Sequence, residues 1–154
     1  MGSKGEKMTK KQKLFLSWGV TIFAAVCGVI AFFMIFAEAV KTPFSFEESY
    51  TGLQVAMGYS INSYPIFEAS AGIILGFLFP LIGACVAIIG KGNKILAVVA
   101  SALLLTGGVL VLCTLPLLHS VTFLSISLGA GPIVSGVFAI VGALASAGSI
   151  FVKE

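Results

Sequence analysis

The chain has 154 residues, is 58% hydrophobic and only 10% charged, and carries a formal net charge of +3. Soluble domains run near 45–50% apolar and about 25% charged, so this balance excludes an ordinary soluble domain. The chain has no arginine and no aspartate, which also removes the usual bidentate residue for phosphate and carboxylate ligands.

Residues 1–13 form a basic tail with Lys4, Lys7, Lys10, Lys11 and Lys13. An apolar run of roughly 14–38 follows, long enough to cross a bilayer, with Cys27 midway along it. The basic start and "AEA" at 37–39 resemble a signal peptide with a small-residue cleavage site. A signal's apolar core is about 7–15 residues, and this run is longer, so it is read as a first span.

The interval 39–65 is the longest polar one. From Leu53, apolar residues alternate through Val55, Met57, Tyr59 and Ile61, and period two predicts a strand with one buried face. Phe44 and Phe46 alternate as well, which predicts a hairpin turning around 47–52. A rival reading starts from Ser45 and Glu48, a capping-box spacing that predicts a short helix closed near Gly52 or Gly58. Leu53, Val55, Met57 and Tyr59 are the candidate residues of an interaction loop.

A second apolar run covers roughly 66–90, with Glu68 in its first turn, Pro80 in its middle and Cys85 beyond. Pro80 is expected to kink the helix by removing a backbone hydrogen bond. Gly72, Gly76, Gly83 and Ala87 form a small-residue stripe there. The turn "KGNK", with Lys91 and Lys94, leads to a third run of roughly 95–118 carrying Ser101, Thr106, Cys113 and Pro116. After His119, Leu124, Ile126 and Leu128 alternate and are able to add a further strand. The fourth run, roughly 128–152, places Gly131, Ser135, Ala139, Ala143 and Ala147 four apart, on one helical face. Small residues let helices approach closely in lipid, so the second and fourth spans are expected to be the inner helices.

The predicted fold class is an all-α membrane protein: a four-transmembrane-helix bundle with a small outer loop element, either a short β-hairpin or a helix. It comprises a basic tail (1–13) and one membrane domain (14–152). Lysines of the tail, of "KGNK" and at Lys153 fall on one side, and Glu38, Glu47, Glu48 and Glu68, against Lys41, on the other. The positive-inside rule then puts both termini in the cytoplasm of a cell with a multi-pass plasma-membrane protein, and the 39–65 loop outside.

The basic start, four spans and an outer first loop with "GLQV" followed by a glycine resemble small four-span proteins of low-GC Gram-positive bacteria. That resemblance implies location and topology and no activity. The layout also resembles the claudin arrangement of a long first outer loop with strands, a short second one and both termini inside. Claudins have "GLW" with a preceding tryptophan and a following cysteine pair. Here the loop reads "GLQ" without outer tryptophan or cysteine, so the likeness is architectural and implies no barrier function.

Cysteines at three depths form neither a metal site nor a ready disulfide. No cofactor, metal or catalytic group is expected, and the chain is not read as an enzyme. Glu38, Glu68 and His119 each lie near the outer boundary by span counting, and the sequence does not show that they meet. They read either as solvated interfacial groups or as an ion site at the outer mouth, since a histidine with two carboxylates has the right chemistry. The expected function is that of a structural or accessory interaction protein; the alternative is a small oligomeric channel or transporter. The expected partners are the lipid bilayer and either a homo-oligomer or a larger membrane protein, with no nucleic acid.

Overall fold

A computed structural model describes residues 9–41, 49–117 and 127–152 of the chain. Besides the short helix α5 (Thr114–Leu117), four long helices dominate: α1 (Lys10–Phe33), α3 (Ala71–Ile89), α4 (Lys94–Leu112) and α6 (Ala130–Val152). Each is long and apolar enough to cross a membrane. The shortest have 19 residues, which at 1.5 Å per residue span about 28 Å, close to the hydrocarbon thickness. The protein is therefore a multi-pass, all-α membrane bundle.

Its helices are small inside and bulky outside. On α1 the buried face consists of Thr21, Ala24, Ala25, Cys27, Gly28 and Ala31, while Phe15, Phe23, Val26 and Phe33 are exposed. Lipid is as apolar as leucine, so burying large apolar side chains gains little there, whereas close backbone approach gains contact. α6 follows the same rule, and α3 and α4 do so except at Ile73, Phe77, Leu104 and Val111, which are fully buried. The four are packed as a ring, α1–α3–α4–α6, and α3 and α6 face each other across its diagonal with little contact. The second and fourth spans are thus not the inner pair, contrary to the sequence expectation. Their small-residue stripes are matched by Ala24, Gly28 and Ala31 on α1 and by Ala97, Ala100 and Gly107 on α4, so all four helices contribute to the interior.

One large side chain fills the axis of this ring. Leu104 of α4 is fully buried. A Cβ placed on Gly28, Gly83 or Gly142 would come to 3.1, 3.0 and 3.6 Å from it, respectively. Those glycines belong to α1, α3 and α6. A single leucine thus meets a glycine from each of the other helices. Pro80 packs beside it, between Gly28 and Gly107.

Hydroxyls join the helices further. Ser135 Oγ donates to the Ala31 carbonyl at 2.8 Å, Ser101 Oγ to Ala143 at 3.0 Å and Ser146 Oγ to Ala97 at 3.1 Å. A buried hydroxyl in lipid must find an acceptor, and here it takes a carbonyl of the neighbouring helix.

A small cap covers one end of the bundle. After the 3-10 turn Met34–Phe36, strand β1 (Glu38–Lys41) pairs antiparallel with β2 (Ser49–Thr51) and with β5 (Ser127–Leu128). Val40 stands opposite both Tyr50 and Leu128. A second hairpin joins β3 (Tyr59–Ile61) to β4 (Tyr64–Phe67). Its turn residues Asn62 and Ser63 both have positive φ, 48° and 69°, the type I′ geometry that matches strand twist. Tyr50, Val40, Val55 and Phe67 form a core with Ile73 and Phe77 at the start of α3, which ties the cap to the helix ends.

The strand expected from Leu53 to Ile61 forms only over Tyr59–Ile61. Gly52–Met57 is instead a helix, α2. Thr51 and Gln54 make a reciprocal capping box: the Gln54 N–H donates to Thr51 Oγ1 at 3.4 Å, and the Thr51 N–H donates to Gln54 Oε1 at 2.9 Å. Gly52, Val55 and Ala56 are buried at helical spacing, so the same letters satisfy both periods and the cap decides between them. Gly58, at φ +87°, closes the helix in a conformation that favours glycine. The expected first strand at 43–46, the Ser45–Glu48 cap, and Leu124 and Ile126 lie outside the described residues; Leu128 does add a strand.

Candidate functional site

The loop residues singled out in sequence divide into two roles. Val55 is fully buried in the cap core. Tyr59 is half-buried and its ring lies 5.6 Å from that of Tyr50, which in turn meets Phe67 edge-on at 5.0 Å. These two residues hold the cap together. Leu53 and Met57 point the other way, 42% and 63% exposed. The helical turn that buries Val55 necessarily turns its neighbours at Leu53 and Met57 outward. Tyr64, on the hairpin that follows, is 78% exposed. The cap thus presents large apolar side chains beyond the end of the bundle.

The three groups of the expected ion site have different settings. Glu38 begins β1; its Oε1 is shielded from solvent and meets Lys41 Nζ at 3.1 Å. Such a partly exposed pair contributes on the order of 0–1 kcal/mol. Glu68 follows β4 and is exposed. His119 lies outside the described residues. Among the described residues, no three histidine, cysteine or acidic side chains come together. Cys27 is buried, whereas Cys85 on α3 and Cys113 at the C-terminal cap of α4 are exposed.

The packing residues also have definite places. Gly72 lies against Leu117, and Gly76 against Val111. Gly83 lies against Leu104 and the Ala100 carbonyl. Gly131 approaches the backbone of Met34 and Glu38, and Ala139 sits over Gly108. Ser135 and the Ala143 carbonyl take part in the interhelical hydrogen bonds above. All of these are contacts within one copy of the chain. Of the hydroxyls Ser101, Thr106 and Ser135 on the third and fourth runs, Ser101 and Ser135 are engaged in those bonds, and Thr106 is on the exposed face of α4. Leu104 was missed in sequence because one leucine within an apolar run carries no distinguishing signal.

Compared with known protein families, curated proteins and solved structures, the chain shows no match.

Proposed function

We propose that this is an accessory membrane protein without catalytic activity, which binds a larger membrane protein through its cap. The lysine distribution supports a cap outside a plasma membrane and termini in the cytoplasm. The observation that carries the reading is the outward face of α2, where Leu53 and Met57 are exposed on the cap. Large apolar groups held out by a rigid, capped helix suit a protein contact. Within one copy, Leu104 occupies the axis that a solute path would need.

The test is the double substitution Leu53→Glu and Met57→Glu in the native host, followed by gentle solubilisation and identification of co-purifying proteins. Both side chains are exposed, so the fold should survive. A stoichiometric partner seen with the wild type should fall at least about ten-fold, since two apolar contact residues at 1–2 kcal/mol each are lost. Equal recovery with the double variant, or a wild type recovered only with itself, would overturn the proposal; the second outcome would favour an oligomeric channel.

A further inference from the structure

The end of the bundle opposite the cap holds a cleft of about 370 Å³, lined by Lys10, Lys13 and Ser17 of α1, Lys91 of the α3–α4 turn and Val152 of α6. Lys10, Lys13 and Ser17 are three and four residues apart, so they share one face of α1. Further along, the same face carries Thr21, Ala24 and Gly28, buried in the bundle. The two α1 lysines therefore stand beneath the bundle, on the inward side of the helix, away from the exposed Phe15 and Phe23. Lysines that only mark topology need no such convergence. Lys91 is held over the Trp18 ring in a cation–π contact.

These cations lack a described counter-charge. The ion pair Glu38–Lys41 lies on the cap, and among the described residues no carboxylate pairs with Lys10, Lys13 or Lys91. The acids that sequence places at this end, Glu6 and Glu154, lie outside the described residues. Converging like charges repel until an anion joins them. Desolvation lowers the Lys91 pKa from the ordinary lysine value, and an adjacent anion would restore it. Lysine binds phosphate as a point charge, so the absence of arginine is no obstacle.

Apolar space adjoins the cleft at Val152. A groove of about 460 Å³ runs between α1 and α6, lined by Gly19, Phe23, Ala145, Gly148 and Val152 among others. Val152 borders both cleft and groove. A Cβ on Gly19 or Gly148 would meet nothing within 4 Å, so these two glycines leave the groove open without serving helix packing. A cationic cleft joined to an apolar groove matches an amphiphile with an anionic head and an acyl chain. A free anion would use the cleft alone.

We propose that Lys10, Lys13 and Lys91 bind the phosphate of an anionic phospholipid head group, with one acyl chain laid in the α1–α6 groove. This site is independent of the cap and of its partner.

The test is native mass spectrometry of the whole protein from nanodiscs containing equal phosphatidylglycerol and phosphatidylcholine. The wild type should retain phosphatidylglycerol preferentially. Lys13→Gln with Lys91→Gln should reduce that retention about ten-fold or more. Lys11→Gln with Lys94→Gln removes the same charge away from the cleft and should change retention by less than about two-fold. Gly148→Leu, which fills the groove, should weaken phosphatidylglycerol retention and leave displacement by inorganic phosphate unaffected. Equal losses from both lysine pairs would mean general surface attraction and overturn the site. So would a wild type without preference for the anionic lipid. Phosphate binding that needs Lys13 and Lys91, with lipid retention unmoved by Gly148→Leu, would assign the cleft to a free anion instead.

Discussion

Replacing Gly28 by alanine adds a single methyl group at a close contact between α1 and α3. Its Cβ would stand 2.5 Å from the Pro80 carbonyl oxygen and 2.9 Å from Ala84 Cβ. The first is roughly half an ångström inside the 3.0 Å that real Cβ contacts essentially never breach. The obstructing atom is backbone, so no rotamer change relieves it; α1 and α3 must move apart and loosen Leu104 with them. Overpacking of this kind costs about 1–3 kcal/mol. Against it, alanine is the better helix former by up to about 1 kcal/mol. Gly148→Ala supplies the control, because it has the same propensity gain and nothing within 4 Å to strike. Reversible unfolding in mixed detergent micelles, followed by the helical circular-dichroism signal, measures both. Gly28→Ala should be the less stable of the two by about 1–3 kcal/mol. Equal stabilities, or a more stable Gly28→Ala, would refute the packing described around Pro80.

Leu104→Ala should destabilise the bundle by about 2 kcal/mol, at the low end of the range for buried leucines. The unfolded reference is still in lipid, so the cavity term remains while most of the transfer term cancels; the same micelle titration reads it. Thr51→Ala removes the α2 capping box and should cost about 0.5–2 kcal/mol locally. Hydrogen exchange should then quicken over residues 52–57 while the four long helices keep their protection.

The spans were legible because each must satisfy one strong constraint, an apolar run long enough for the bilayer. The side-by-side order of the helices was not. Gly72, Gly76 and Gly83 announce a close contact, but small residues on α1 and α4 serve equally well, and only the folded ring assigns α3 to α4. The cap shows a different difficulty. The letters from Gly52 to Ile61 fit period two and period 3.6 at once, and the choice falls to a local hydrogen-bond pair, Thr51 with Gln54, whose spacing is present in the sequence. The lysines read in sequence only as a topology signal; their convergence on one cleft needed the α3–α4 turn to bring Lys91 beneath α1. The outward pointing of Leu53 and Met57 followed from the helix and was hidden by the strand reading.

The most direct measurement is the mass of the intact wild-type complex extracted from native membranes into nanodiscs, with every bound protein identified. The expected result is one fixed stoichiometry of this chain with a different membrane protein. A chain found alone, or only with copies of itself, would contradict the accessory role.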